Sequence, residues 1–456
     1  LAYLCWLPMP FGSVTERAQL PLVVGALAIC AAAAWVRITR DAPLDLTRPF
    51  RLWTAGAMLF AVAVALQLIP LPNPILGVLS PESLRLWSAA ERIASLAGVA
   101  APAGSHPISI DPQTTSVHLF RLLAYMATFL AAALLMRRHR HRIVLALVLG
   151  ATAVFETLYG IREAALQRYA IWGWVNKLIF NRVTGTFVNP NHFAHYAAIV
   201  LPLGVYLSAQ AWHDAAPSGV PWRRRIVRLF ETRLVRFAFG VVIALACIVA
   251  ILVAQSRGGL VAAVAGFAIV GAIASGGRHA LWRGLLIGVA GIALAIVLAL
   301  LLGLKVSRFQ DPEVASLGGR AVPLKAAFDL WKRFPLFGTG LGTFIDVSSM
   351  TGAGDVTHVI NHAHDDYAEI AATTGVVGLL VALVPFLAGY VALVRMTFGA
   401  RAAEVSWTRR AYQAAALTSL AIAAVHALID FNFFIPANPA TLAAIAGTAV
   451  AIRESR

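Results

Sequence analysis

Two histidines stand beside two aspartates in Asn361-His362-Ala363-His364-Asp365-Asp366-Tyr367. Three chemistries fit that spacing. Acids ahead of an apolar run can cap a helix and complement its dipole. His-x-His with an adjacent carboxylate can ligate zinc, although no further His or Cys stands at a helpful spacing. An imidazole at a membrane surface can also take or give a proton near neutral pH. A second candidate is Arg257, in Ser256-Arg257-Gly258-Gly259, between the apolar runs 237–255 and 259–276. A guanidinium at a helix end suits a phosphate oxygen pair, and two glycines let backbone or ligand approach closely. Snorkelling to the interface would explain the same arginine without a function. Arg320 is a second candidate partner for an anion.

The elements that must position these groups are membrane helices. The 456 residues are 59% hydrophobic and 13% charged, about half the charge of a soluble protein, which places the chain in a bilayer. Spanning runs are expected at 1–9, 20–36, 52–70, 116–136, 143–161, 191–210, 237–255, 259–276, 284–304, 367–394, 411–429 and 439–452. Each must be helical, because lipid offers the backbone no partner. The expected fold is an all-α polytopic membrane protein of about twelve transmembrane helices. Nine fall in 1–304 and three in 367–456, with a long outward loop at 305–366. The first run is read as a truncated helix rather than a signal peptide.

Net charge is +16, and topology accounts for it. Arginines cluster in alternate loops, from Arg37–Arg51 through Arg137–Arg142 and Arg223–Arg236 to Arg395–Arg410 and the C-terminus. That is a positive-inside signal, which puts both termini in the cytosol and argues against nucleic acid as a partner. Cys5, Cys30 and Cys247 all lie in expected spans and define no disulfide framework or metal site.

The outward loops then hold the polar chemistry. The loop 305–366 is the longest, and long loops in compact proteins are usually functional. Leu324, Ala327, Phe328 and Trp331 follow helical spacing, with Lys325, Asp329 and Lys332 opposite. Pro323 suits the first turn and Pro335 ends the helix, which is expected to lie near the outer interface. Gly338-Thr339-Gly340-Leu341-Gly342 is a weak nucleotide fingerprint without a preceding strand; close packing or a tight turn explains it better. Asn189-Pro190-Asn191-His192-Phe193 opens the sixth span, where it turns the chain into a helix or joins the site. Arg162, Arg168, Lys177 and Arg182 add positive potential just before it. Arg121, Glu156, His426 and Asp430 are ionisable groups near the outer leaflet, and such groups are normally paired inside the bundle. His426 and Asp430, four apart, are expected to share a helix face as a structural pair.

These stretches resemble the O-antigen ligase and polymerase superfamily. Ser256-Arg257-Gly258-Gly259 is similar to its outward arginine motif. Arg320, Trp331 and Pro335-Leu336-Phe337-Gly338-Thr339-Gly340-Leu341-Gly342-Thr343-Phe344 resemble its arginine, tryptophan and glycine-rich stretch. Residues 361–367, running on to Gly375-Val376-Val377-Gly378, resemble its histidine signature, with Asp365 where asparagine is common and Ala368 where leucine is common. Asn189-Pro190-Asn191-His192-Phe193-Ala194 is similar to a further family stretch. The likeness covers roughly 180–440.

The resemblance implies a GT-C-like glycosyltransferase of the bacterial inner membrane with its active site facing the periplasm. It would move a glycan from undecaprenyl pyrophosphate to a lipid A-core hydroxyl, by inversion and without metal or cofactor. It implies His364 as general base, with His362 a less secure second. Arg257 and Arg320 would stabilise the leaving pyrophosphate, and Arg162, Arg182, Asn191, His192, Asp365 and Asp366 would bind substrate. An O-antigen polymerase shares the donor chemistry and differs in acceptor. A lipid-linked glycan flippase is the reading from another class; it predicts charges near mid-membrane and internal repeats.

Overall fold

The computed structural model describes residues 1–39, 46–99, 104–175, 182–216, 219–276, 318–352, 359–400, 402 and 405–451, with only isolated positions between 277 and 317. The chain is mostly helical. In order the helices are α1 (Ala2–Trp6), α2 (Glu16–Ile38), α3 (Arg48–Leu66), α4 (Asn73–Leu79), α5 (Pro81–Leu96), α6 (Pro112–Leu135), α7 (His139–Ala165) and α8 (Pro190–Ala215). There follow α9 (Trp222–Thr232), α10 (Leu234–Val253), α11 (Arg257–Ser275), α12 (Gly318–Arg333), α13 (Phe344–Val347), α14 (Asp366–Phe398), α15 (Trp407–His426) and α16 (Ala437–Ala449). Two two-residue strand pairs, Leu71–Pro72 with Ser105–His106 and Ala170–Ile171 with Trp174–Val175, tie down loops.

Among the described residues, eight helices are long and apolar enough to cross a membrane: α2, α3, α6, α7, α8, α10, α11 and α14. The chain is a multi-pass membrane protein. Three of the twelve expected spans come out differently. The run 1–9 holds only the five-residue α1. The run 439–452 is α16, whose 13 residues reach about 20 Å, short of a bilayer core. Almost every residue of α16 is buried by protein, so its apolar composition reflects a core helix rather than lipid contact. The run 411–429 is α15, a 20-residue helix that is not among the eight. The expected span 284–304 lies outside the described residues.

Small residues set the helix spacing, as expected where hydrocarbon gives no drive for association. α8, the most buried of the eight, meets α10 at Gly204 and Gly240; a Cβ on Gly204 would lie 2.8 Å from the Ala244 nitrogen. α3 meets α14 where Gly56 faces Pro385 and Gly389 faces Trp53. The Trp53 indole N–H donates to the Phe386 carbonyl at 3.1 Å across that contact.

The glycine-rich stretch is a packing device, as the sequence reading preferred. Gly338, Gly340 and Gly342 have φ of 69, 111 and 89°, the left-handed region that disfavours a side chain. Their loop inserts into a kink of α14 at Gly375, whose φ is 67°. There Val376 N–H donates to Pro335 O at 2.8 Å, and Gly340 N–H to Thr373 O at 2.9 Å. These bonds replace helical ones lost at the kink. Gln67, buried at the end of α3, completes the clamp: its amide donates to Phe337 O at 2.7 Å and Thr373 O at 2.9 Å, and accepts from Leu341 N–H at 3.1 Å. A Cβ on Gly375 would lie 2.1 Å from Leu336 O. Gly375→Ala is therefore expected to destabilise the protein by at least about 2 kcal/mol, read as a lowered unfolding midpoint in detergent.

The amphipathic helix exists, with one difference. It is already helical at Gly318, so Pro323 lies inside it rather than in its first turn. Its protein-facing stripe is Ala326, Ala327 and Leu330, continued by Phe334 just past its end, whereas Leu324 and Phe328 are 44% and 49% exposed. Alanine at 326 lets α12 sit close to α14, and the larger side chains are turned outward. This stripe joins Phe344, Val347, Ala363 and Ala372 in a second small core. Arg333 on α12 donates to Glu82 on α5, fastening the helix that carries Arg320.

Candidate active site

Ala363 is buried in that second core, and its N–H donates to the Glu369 carboxylate at 2.8 Å. The flanking histidines therefore have separate roles. His362 Nδ1 lies 2.9 Å from Glu369 Oε1, and its ring stacks on Phe431 at 3.9 Å. His364 has φ of 54°, a left-handed conformation that costs about 1–2 kcal/mol in a non-glycine residue. Its ring is edge-on to Phe431 at 4.9 Å, and its Nδ1 lies 3.4 Å from Asp430 Oδ1.

Asp430 is the centre of the site. It is 1% exposed and sits just past the end of α15, its N–H donating to His426 O at 3.0 Å. Its Oδ2 accepts from Asn191 Nδ2 at 2.9 Å and lies 3.9 Å from Arg320 Nη2. Its Oδ1 faces His364 and, at 3.8 Å, His192 Nε2. Burial by itself would raise this carboxyl, but the neighbouring His192 and His364 outweigh that and hold it well below the usual carboxylate range. Asp430 is thus held as an anion that accepts from Asn191 Nδ2 and, through Oδ1, from the Phe431 N–H at 3.0 Å, with His364, His192 and Arg320 at ion-pair distance around it.

The network extends outward from Asn191. Arg182 Nη2 donates to Asn191 Oδ1 at 2.7 Å, and Arg182 Nε to the Ala254 carbonyl at 2.8 Å. Ala254 closes α10, three residues before Arg257. Ser256 caps α11, accepting from Gly259 N–H at 3.1 Å. Gly258 packs on the α15 end, where a Cβ would lie 3.0 Å from His426 Nε2. Arg257, half-buried, thus begins its helix beside the His426–Asp430 segment.

Three helices start at this place, each with a side-chain cap. Asn189 accepts from Asn191 N–H for α8 at 2.9 Å, Ser256 serves α11, and Asp365 accepts from Ala368 N–H for α14 at 2.9 Å. Their dipoles add positive potential to that of Arg182, Arg257 and Arg320. The site lies at the bundle end opposite the arginine-rich loops. His364 and Arg320 remain 34% and 37% exposed, so both can meet a ligand.

Of the residues singled out from sequence, His364, Arg320, Asn191, His192 and Arg182 come together around Asp430. Arg257 lies beside them, and His362 shares Phe431 with His364. Asp365 and Asp366 are engaged in the fold. Asp365 is the cap of α14; Asp366 is fully buried, donates its N–H to Ala427 O at 2.8 Å and accepts from Phe433 N–H at 3.2 Å. Arg162 closes α7 and pairs with its neighbour Glu163. The expected His426–Asp430 pair is replaced: α15 ends at His426, whose Nδ1 lies 2.9 Å from His195 Nδ1, and Asp430 turns to the site instead. Asp430, Glu369 and Phe431 were missed as site residues. The available signal for Asp430 was a carboxylate at the outward end of an apolar run with no basic neighbour in sequence.

Fold and site together define a multi-pass helical membrane protein with a cluster of arginines and histidines around a buried carboxylate at one end of its bundle. Residues 241–383 match the model of the O-antigen ligase family, a similarity consistent with membership of the O-antigen ligase and polymerase superfamily. The match takes in Arg257, Arg320, His362 and His364, and leaves Arg182, Asn191, His192 and Asp430 outside it. Among curated proteins none matches the chain.

Proposed function

We propose that the chain is an O-antigen ligase of the bacterial inner membrane. It would transfer a glycan from undecaprenyl pyrophosphate to a sugar hydroxyl of lipid A-core at the periplasmic face. The observation that carries this reading is the meeting of His364 and Arg320 on one buried, ionised carboxylate, Asp430. A carboxylate facing Nδ1 favours the Nδ1–H tautomer and leaves Nε2 free to accept a proton. The acceptor hydroxyl attacks the anomeric carbon as its proton passes to His364 Nε2. The bond from that carbon to the pyrophosphate oxygen breaks, and undecaprenyl pyrophosphate leaves with the electron pair. Asp430 stabilises the imidazolium that forms. Arg257 and Arg320 stabilise charge gathering on the leaving group, more in the transition state than before it. With one base and no covalent nucleophile in this scheme, displacement is single and inverts the anomeric carbon.

Arginines in place of a divalent cation make the reaction metal-independent. Purified protein given lipid-linked glycan should keep its transfer rate in EDTA; loss restored by added metal would contradict the scheme. Supplying lipid A-core and a second lipid-linked glycan in competition separates ligase from polymerase. Product on lipid A-core is expected, and product on the second glycan alone would reassign the acceptor.

A further inference from the structure

Among the described residues, Arg121 is a cation beside the site that the transfer scheme leaves unused. Arg121 lies on α6, where its Nε donates to Gln19 Oε1 at 2.7 Å and its Nη1 is 3.4 Å from His118 Nε2. No carboxylate is among these partners. An arginine in a membrane span normally has a countercharge or marks a ligand path. Arg121 and His118 line one end of a cavity of about 310 Å³, with Tyr125, Tyr367 and Phe434. That cavity continues into a second of about 270 Å³ reaching Trp53 and Phe129. Both share Phe60, Leu122, Ala382 and Phe386, so they lie in series between α3, α6 and α14. From Arg121 to Phe129 the groove follows α6 for about 12 Å. Its polar end adjoins the site: the His118 ring is 5.6 Å from Phe434, which is 5.5 Å from His362.

A cationic mouth beside the reacting groups, over an apolar channel, complements a single hydrocarbon chain with an anionic head. Two cavities in series take one chain, whereas a multiply acylated lipid needs parallel grooves. We propose that this groove seats the polyprenyl chain of the donor, with its chain-linked phosphate on Arg121 and His118. Arg257 and Arg320 then meet the sugar-linked phosphate. The inference rests on the transferase reading and adds to it a binding site for the carrier.

Binding of undecaprenyl pyrophosphate to the purified protein, measured by native mass spectrometry, tests it. Ala382→Trp, which fills the shared stretch, should weaken carrier binding tenfold or more and leave inorganic pyrophosphate binding unchanged. Arg121→Gln, which removes a charge-assisted contact, should weaken carrier binding about tenfold and leave undecaprenol binding unchanged. Ala57→Phe on the facing helix serves if either variant does not fold. Carrier binding equal to wild type in the folded variants, or phosphatidylglycerol competing as well as the carrier, would overturn the groove while the transferase reading stands. A wild-type protein that binds no carrier would overturn both.

Discussion

His364→Ala is expected to slow glycan transfer by about 10²–10⁴-fold, the usual contribution of a general base, with a smaller loss of thermal stability than His362→Ala. The side chain is 34% exposed and packs on Phe431, so its loss opens no core cavity. His362→Ala should show the opposite balance. That ring is bonded to the buried Glu369 and stacked on Phe431, and removing it leaves a carboxylate short of a partner, at a cost of about 1–3 kcal/mol. Measuring transfer rate and unfolding midpoint for both variants assigns the base. A rate loss confined to His362→Ala would exchange the two roles.

Asp430→Asn is expected to cost about 10²-fold or more in transfer. It removes the charge that orients His364 and stabilises its protonated form, an effect of the kind established for the carboxylate of catalytic triads. Asp430→Ala, which strips the buried hub from His192, Asn191, His364 and Arg320, should also destabilise the fold by about 3–5 kcal/mol. The pH dependence follows from the depressed carboxyl of Asp430. In the unfolded chain an aspartate titrates near 3.9. The folded-state contribution of Asp430 is therefore complete above about pH 4 and is lost as pH falls through its lower folded value. Wild-type stability should carry this acid-side component, and Asp430→Asn should lack it. Unfolding midpoints measured from pH 7 downward for both proteins would reveal it; parallel curves would contradict the assignment.

Hydrophobic runs made eight membrane-length helices legible, because lipid contact leaves a long uninterrupted signature. The same criterion overcounted at α16, since a helix buried by its neighbours is as apolar as one facing hydrocarbon. It also did not single out the face of α12 that packs on protein. Ala326 carries little hydrophobic weight in sequence, yet its small size is what allows close packing on α14. Arg257 stood out as an ionisable group at the outward end of a span, and Arg320, His362 and His364 as ionisable groups in the long outward loop. Asp430 was visible but misassigned, because spacing to His426 was the only local information. Its partners come from α8, α12 and the lead into α14, and Asn191 lies 239 residues away. Convergence of that kind belongs to the tertiary fold. The same holds for Phe431, whose ring touches His192, His362 and His364.

The central claim is that this chain alone displaces a lipid pyrophosphate with a hydroxyl activated at His364. Purified protein, undecaprenyl-pyrophosphate glycan and lipid A-core should yield one free undecaprenyl pyrophosphate per glycan transferred, and the yield should collapse in His364→Ala and Arg257→Ala. Carrier release that does not match glycan transfer, or equal transfer by both variants, would contradict it.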